Sequence, residues 1–185
     1  MKNKTTLVLS LFLGAICLSC SISSTCANKS KGRIIPQEDV VTFLSDSVCS
    51  LVFEASKVNL YKIEAKQDSI VYSPDSLLLD YSVIELFQNI DSDLVSALRF
   101  VLSDKKTYLM SDYYPSAPFL PGYVIEFETN EAKCRMLISI SGGLCRLYWN
   151  NEILQEFKYT QERLLTYFLF LATRDESLQT LLESQ

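Results

Sequence analysis

The sequence predicts an α+β fold in which an antiparallel meander sheet is packed against N- and C-terminal helices. Apolar residues recur at helical spacing directly after Pro36 and again after Thr160. Between these segments, residues 123–150 alternate apolar and polar side chains and are divided by two turn signals, which is typical of consecutive hairpins. Helices at both ends of a run of hairpins favour a sheet covered on one side by helices.

The first 19 residues are predicted to be an export signal. Lys2 and Lys4 precede an apolar run from Leu7 to Leu18, and the first acidic residue is Glu38. A helix of that length rises about 18 Å, whereas the hydrocarbon layer of a bilayer is about 30 Å thick. The run is too short for a stable membrane span, and a basic start followed by a short apolar segment indicates export.

Two cleavage sites are compatible with this signal. The stretch Cys17-Leu18-Ser19-Cys20 resembles a bacterial lipobox, in which a small residue precedes a cysteine that is lipidated and becomes the new N-terminus. Cleavage after Ala27 is the alternative, because an ordinary signal peptidase requires small residues at such a site. We favour lipidation of Cys20, which predicts a membrane partner through acyl chains contributing about 0.8 kcal/mol per buried methylene.

Residues 20–33 are polar and rich in serine, and they are predicted to form a flexible tether. The remainder, residues 34–185, has the length of a single domain with its own core. The formal charge is −5 for the whole chain and −7 without residues 1–19, which hold two lysines and no acidic residue. An acidic body argues against nucleic acid as a partner.

The elements before the hairpins follow from periodicity and capping signals. A helix is expected from about residue 37 to 55, and a strand over 58–64. Residues 81–87 are a further strand candidate, and Asp91 is predicted to cap the helix that follows it. At the other end of the domain, Thr160 is expected to cap a terminal helix, and a second helical piece ends the chain.

Three strands are predicted for the hairpin region, near 123–129, 132–141 and 144–150. Two-residue turns at Asn130-Glu131 and Gly142-Gly143 are expected to connect them. Glycine pairs suit such turns because the turns need positive backbone angles.

This register accounts for both faces of the sheet. Glu128 then faces Lys133 and Glu126 faces Arg135, which gives two opposite-charge pairs on a side expected to contact solvent. The other side carries an apolar residue at every second position: Tyr123, Ile125, Phe127, Cys134, Met136, Ile138, Ile140, Cys145, Leu147 and Trp149. A shift of one residue exchanges the two faces, so the pattern constrains the register.

The same register separates two cysteines. Cys145 is expected opposite Ile140, which is six residues, or about 20 Å, along the strand from Cys134. A disulfide needs Cα atoms within about 7 Å, so these two cysteines are not expected to bridge. A bridge from Cys49 to either of them stays open as the alternative to three buried thiols.

The chain contains no histidine and only five glycines. Nucleophile pairs and metal sites that use imidazole are thereby excluded, and the sequence has no phosphate-binding glycine loop. Glu126 and Glu128 already have basic neighbours in the predicted sheet. We therefore predict no catalytic residue, no metal ligand and no cofactor.

The segment of residues 111–123 contains three prolines among four aromatic residues. Tyr113, Tyr114 and Phe119 are candidate binding residues, because rigid aromatic side chains lose little entropy when they bind sugar rings or peptides. In the alternative, Phe119 fills the edge of the sheet while the two tyrosines cover it.

The turn Phe119-Leu120-Pro121-Gly122-Tyr123, with the hairpins after it and VNLYKI (58–63) before it, resembles a loose group of small exported bacterial proteins that are uncharacterised. These proteins share an opening strand, a helix, an F-x-P-x-Y turn and a closing hairpin. The resemblance covers about residues 56–150 and implies no activity.

Two functions remain compatible with these observations. The first is a non-enzymatic lipoprotein of the cell envelope that binds a protein or glycan, or serves as an accessory module. The second is an exported soluble enzyme or enzyme inhibitor, periplasmic or secreted, that is released by cleavage after Ala27.

Overall fold

An antiparallel sheet forms the centre of the fold. The computed structural model describes residues 33–67, 70–71, 73, 76–88, 90–110 and 118–184, and the residues from Ile34 onward form one unit. Within these ranges the sheet has seven strands in the order β2-β3-β1-β4-β5-β6-β7. The strands are β1 (Lys57–Ala65), β2 (Leu77–Leu78), β3 (Tyr81–Phe87), β4 (Tyr123–Glu128), β5 (Lys133–Ser139), β6 (Leu144–Trp149) and β7 (Glu152–Lys158).

Helices precede, interrupt and follow the strands along the chain. The described residues contain α1 (Glu38–Leu44), α2 (Asp46–Glu54), α3 (Ser92–Ser103), α4 (Glu162–Thr173), α5 (Glu176–Ser184) and a short 3-10 helix at Lys105–Thr107. The predicted α+β class is confirmed, and so are the strands expected at 58–64 and in the hairpin region. The cap at Asp91 is confirmed as well, because its Oδ1 accepts a hydrogen bond of 2.7 Å from the Asp93 amide.

The helix expected over residues 37–55 is divided into α1 and α2. Ser45 lies between them with a φ of 76°, in the left-handed region that residues other than glycine rarely adopt. The apolar positions of both helices still point to one core, so periodicity predicted the buried face but not the break. The C-terminal end of α2 is bound by Arg99, which donates to the carbonyls of Val52 (3.0 Å) and Ala55 (2.8 Å).

The first hairpin has the predicted register, and the second does not. Glu128 pairs with Lys133 and Glu126 with Arg135, around a turn at Asn130-Glu131. In the second hairpin Ser139 pairs with Leu144, so the connection is a four-residue loop, 140–143, rather than a two-residue turn. The register is therefore displaced by two residues. Because that displacement is even, each side chain keeps its predicted face.

Two further expectations near the C-terminus were wrong or incomplete. Thr160 does not cap α4, since the N-cap position belongs to Gln161 and the Thr160 hydroxyl instead donates to the carbonyl of Lys106. No strand was predicted for residues 152–158, which form β7. The β6–β7 turn is Asn150-Asn151, with φ of 49° and 68°, the left-handed pair that a tight hairpin turn requires.

The main core lies between the helices and one face of the sheet, which we call the helix face. Side chains at alternate positions of the central strands pack there against apolar residues of α1 to α5. The fully or nearly fully buried members include Val40, Val48, Val52, Leu60, Leu98, Ile125, Phe127, Met136, Ile138, Leu147, Leu165, Leu169 and Leu178. Each buried aliphatic or aromatic side chain contributes about 1.5–3 kcal/mol, so this layer is the main source of stability.

Helix α5 is attached to the sheet by Asp175. Its Oδ2 accepts from Lys62 Nζ and from the Tyr123 hydroxyl, each at 2.5 Å, while its Oδ1 accepts from the Ser177 amide at 3.0 Å. Burial alone raises the pKa of Asp175, but Lys62, Ser177 and Tyr123 outweigh it and hold that pKa well below its usual range. One carboxylate thus joins β1, β4 and the first turn of α5.

Strands β3 and β7, which lie next to one border of the sheet and at the other, are both irregular. The β1–β3 register shifts after Lys62, which leaves Ile84 as an extra residue in β3. The β6–β7 register shifts after Leu147, which leaves Leu154 as an extra residue in β7. Both extra residues are exposed.

Candidate functional site

The sheet face opposite the helices carries a group of charged and hydrogen-bonding side chains. We call it the polar face, and it presents Tyr61 from β1, Glu126 from β4, Arg135 from β5, and Arg146 and Tyr148 from β6. Its small apolar cluster consists of strand and loop residues, with Ile63, Leu78, Val124 and Leu137 buried. Since none of those described residues is helical, this face is shaped by the sheet and its connecting loops.

A buried carboxylate lies at the centre of the polar face. Glu126 is only 2% exposed, although it was expected to contact solvent. Its Oε2 accepts from Arg135 Nε at 2.8 Å, and its Oε1 accepts from the Tyr61 hydroxyl at 3.1 Å and from Asn59 Nδ2 at 3.3 Å. Lys133 Nζ lies 3.8 Å away. The predicted charge pair exists, but it forms part of a buried network.

The charges of this network decide its protonation. Burial alone raises the pKa of Glu126, yet the hydrogen bond and charge of Arg135, with help from Asn59 and Lys133, bring it below the ordinary value. Burial, followed by the nearby Glu126, raises the pKa of Tyr61 to about 12. At neutral pH Glu126 is therefore ionised and Tyr61 is a neutral donor. A carboxylate committed to this many partners is suited to fixing side chains rather than to moving protons.

A second cluster surrounds Arg146. Its guanidinium carbon lies 4.0 Å from the centre of the Phe119 ring, its Nε contacts Glu156, and it is hydrogen-bonded to the Tyr148 side chain. An arginine held from three sides has little rotational freedom left to lose when a ligand binds. Phe119 is half-buried and packs beside the small apolar cluster of the polar face.

Two cavities open on the polar face. The tyrosine cavity, of about 420 Å³, is lined by Leu79, Asp80, Tyr81, Arg146, Tyr148 and Asn151. The turn cavity, of about 460 Å³, lies beside the β4–β5 and β6–β7 turns and is lined by residues 128–133, Arg135, Tyr148, Asn150 and Asn151. Both volumes lie in the range of small-molecule sites. The cavities share Tyr148 and Asn151, so they form one continuous polar surface.

The tyrosine cavity offers two aromatic rings with hydroxyl tips and a fixed set of donors. Burial, and then the neighbouring Tyr148, raises the pKa of Tyr81, which keeps its phenol neutral at neutral pH. Asn151 Oδ1 accepts from Arg135 Nη1 at 2.7 Å, so the Asn151 amide nitrogen is oriented by the Glu126 network. Tyrosine rings provide apolar contact area and a polar tip, which is the combination that a sugar ring requires.

The predicted site residues have different outcomes. Phe119 lies beside the tyrosine cavity through its contact with Arg146. Tyr113, Tyr114 and Cys20 lie outside the described residues. Tyr61, Tyr81, Arg146 and Tyr148 were not predicted as site residues.

For two of these the sequence did contain a signal. Arg146 and Tyr148 have the same strand parity as Arg135, and extending the predicted charged face across β6 would have found them. Tyr61 and Tyr81 reach the polar face through pairings of β1 and β3 that the sequence pattern did not specify.

The cysteines form no disulfide among the described residues. Cys49, Cys134 and Cys145 are free and buried, and Cys134 lies opposite Trp149 while Cys145 lies opposite Ile138. Burial, and then Asp46, raises the pKa of Cys49 to about 11, and burial raises that of Cys134 to about 12. Thiols in this state are unreactive at neutral pH. The bridge left open for Cys49 is not formed.

Comparison with known proteins gives no match to a family model, a curated protein or a solved structure. None of the described helices is long and apolar enough to cross a membrane. In the described part of the chain, no group of three or more carboxylate or thiol side chains is arranged to hold a metal ion.

Proposed function

We propose that this chain is a non-enzymatic cell-envelope lipoprotein that binds a carbohydrate on the polar face of its sheet. The observation that carries the proposal is the tyrosine cavity, in which Tyr81, Tyr148 and Asn151 line a space of about 420 Å³ on the side of the sheet away from the helices. Sugars bind such surfaces because their C–H faces contact aromatic rings while their hydroxyls pair with fixed donors and acceptors.

Preorganisation supports this proposal. Arg146 is fixed by Phe119, Glu156 and Tyr148, and Asn151 is oriented by Arg135. A ligand that meets side chains already in position loses less conformational entropy on binding. The polar face therefore has the rigidity expected of a recognition surface built on strands.

The export half of the proposal is supported by the N-terminal sequence. Residues 1–19 have the length, charge and apolar run of a secretion signal, and Cys20 follows a lipobox-like stretch. These residues lie outside the described structure. A lipid on Cys20, followed by the polar residues 21–33, provides an anchor and a tether for the sheet domain.

Intact mass of the protein purified from a bacterial envelope tests the anchor. We expect a mature chain that begins at a diacylated or triacylated Cys20, and a Cys20→Ser variant that is not acylated. A mature chain that begins at Asn28 without acyl mass would contradict lipidation and support the exported soluble protein instead.

Binding to an array of bacterial envelope glycans tests the recognition half. We expect at least one glycan to bind, and we expect Tyr148→Ala to weaken that binding at least tenfold by removing a ring shared by both cavities. The matched control is Tyr167→Ala, which truncates an exposed tyrosine on α4. Absence of any glycan ligand, or equal loss in both variants, would contradict carbohydrate recognition.

A further inference from the structure

The two cavities of the polar face have three cationic side chains among their described lining residues. Arg146 lines the tyrosine cavity, and Lys133 and Arg135 line the turn cavity. An arginine or lysine without a counter-charge in such a place would favour a sugar that carries a carboxylate or phosphate. The partners of these three cations therefore decide which charge a bound sugar can carry.

Both arginines are paired with a carboxylate of the fold. Arg146 Nε is bound to Glu156 Oε2 across the β6–β7 pairing, and both side chains are half-buried. Arg135 Nε donates to Glu126 Oε2 at 2.8 Å, and its Nη1 donates to Asn151 Oδ1 at 2.7 Å. An anionic group that approaches either arginine also approaches a carboxylate of like charge, and the two repel most strongly where solvent screens them least.

The lysine of the turn cavity is paired as well. Lys133 Nζ lies 3.1 Å from Glu128 Oε1 and 3.8 Å from Glu126 Oε1. Glu131 adds an exposed carboxylate to the lining of the same cavity. A ligand anion at this end of the polar face would therefore compete with carboxylates that already hold the lysine.

The charges around the tyrosine cavity are balanced in the same way. Asp80, the carboxylate that lines it, lies 3.5 Å from Lys66 Nζ. Within positions 34–185, those outside the described ranges include three aspartates and no lysine or arginine. The net charge of the whole chain is −5. Each cation in the described lining of the two cavities thus has a carboxylate partner, in a chain that is acidic as a whole.

The other polar side chains that carry the described lining are uncharged. Asn130 and Asn150 are exposed in the turn cavity, Asn151 belongs to both cavities, and Tyr81 and Tyr148 supply phenol hydroxyls. Amides and phenols both donate and accept hydrogen bonds, as sugar hydroxyls do. These groups can therefore bind sugar hydroxyls without any charge on the ligand.

We infer that the sugar bound on the polar face is uncharged, and that the paired cations exclude sugars that carry a carboxylate or phosphate. This inference rests on the proposed carbohydrate binding and adds its specificity. A binding site can reject a wrong ligand by placing like charge against it, without any new contact to the right one. Glu126, Glu128 and Glu156 supply that like charge, because they neutralise the cations that an acidic sugar would need.

Binding to the array of bacterial envelope glycans, compared by charge, tests the inference. The array contains neutral oligosaccharides and oligosaccharides that carry uronic acid or phosphate groups. We expect a neutral member to bind most tightly, and we expect oxidation of its primary hydroxyls to carboxylates to weaken binding about tenfold. An acidic member that binds as tightly as the best neutral one would overturn the inference and leave carbohydrate recognition standing. Binding of no member would contradict both.

A charge variant tests the carboxylate that neutralises Arg146. We expect Glu156→Gln to reduce the preference for the neutral glycan over its oxidised form about fivefold, because the variant removes the counter-charge but keeps a hydrogen-bond acceptor. The control is Glu176→Gln, which removes an exposed carboxylate on α5 and is expected to leave the preference unchanged. An unchanged preference in Glu156→Gln, or an equal reduction in the control, would show that the paired arginine does not exclude acidic sugars.

Discussion

At the scale of single residues, Glu126 is the most consequential side chain of the polar face. It is 2% exposed and is bound by Arg135, Tyr61 and Asn59. Replacing a buried pair by apolar groups costs little, whereas removing one partner leaves the other charge buried without compensation. The network is therefore far more sensitive to loss of the arginine alone than to loss of both charges.

We expect Arg135→Met to lower the free energy of unfolding by about 3 kcal/mol, because the Glu126 carboxylate stays buried without its main counter-charge. Denaturant unfolding monitored by circular dichroism measures the change. The control is the double variant Arg135→Met/Glu126→Gln, which we expect to be more stable than Arg135→Met alone. A double variant at least as unstable as the single one would mean that the two charges are not coupled.

The same residue gives a pH dependence whose sign follows from its pKa. The pKa of Glu126 is lower in the folded protein than in the unfolded chain, so the unfolded state binds the proton more readily. Its stabilising effect is thus present above the ordinary glutamate pKa and is lost as the pH falls through the folded value. We expect Glu126→Gln to flatten the acid limb of the stability profile, and an unchanged slope would contradict this assignment.

At the scale of elements, α5 has the fewest buried residues of the described α-helices. Leu178 is its one buried residue, and Asp175 supplies both its N-terminal cap and its contacts with Lys62 and Tyr123. A helix this short is marginal without such contacts. Its order therefore depends on a residue outside its own apolar stripe.

We expect Asp175→Ala to destabilise α5 locally while the sheet stays folded. Loss of about 1 kcal/mol of capping and hydrogen bonding corresponds to about fivefold faster amide exchange over Glu176–Ser184. Hydrogen exchange followed by mass spectrometry measures this, with unchanged protection in β4 and β5. Asp175→Asn, which keeps the cap acceptor, is expected to show a smaller effect. Equal acceleration throughout the sheet would indicate global destabilisation instead.

The hairpins show how far local sequence specifies an element. Charges at Glu126, Glu128, Lys133 and Arg135 fixed one register, because alternatives place them against the core. The second hairpin contains no such charge pairs, and the glycine pair indicated a turn shorter than the real one. Only Gly143 has a positive φ there, and a Cβ on it would lie 2.7 Å from a Glu162 carboxylate oxygen. That contact involves a distant helix, which local pattern does not reveal.

Strand β7 was missed although its turn was visible. Asn150-Asn151 is a pair well suited to a tight hairpin, and both residues adopt positive φ. Ile153 and Leu154, the second and third residues of the strand, are both exposed, and Leu154 is the extra residue, so the alternation is broken. A bulge removes the period-two signal on which strand prediction depends.

At the scale of the whole molecule, the two faces of the sheet differ in how they could be predicted. Apolar alternation predicted which residues lie on the helix face. That prediction is correct although the predicted register of the second hairpin is wrong, because the error was an even number of residues. The burial of Glu126 depends on Asn59 and Tyr61, which lie more than 60 positions earlier in the chain and reach it only through the β1–β4 pairing. Local pattern thus specified the core side and left the candidate site to tertiary pairing.

We expect residues 21–32 to contribute nothing to folding. Among the residues that the structure describes, the members of both apolar clusters all lie at or after Ile34, so a chain starting at Arg33 retains the described core. Urea unfolding of chains that start at Ser21 and at Arg33 is expected to give the same free energy within about 0.5 kcal/mol. A clearly less stable shorter chain would show that residues 21–32 contribute to the stability of the domain.

The extra residues in β3 and β7 have a consequence for crowding. Straight, exposed edge strands of neighbouring molecules can pair through backbone hydrogen bonds, and stacked sheets of that kind grow into fibrils. Ile84 interrupts the β1–β3 ladder and Leu154 interrupts the β6–β7 ladder, so the strands near both borders of the sheet are bent. These irregularities thus hinder edge-to-edge pairing between copies of this domain, even where the copies are crowded together.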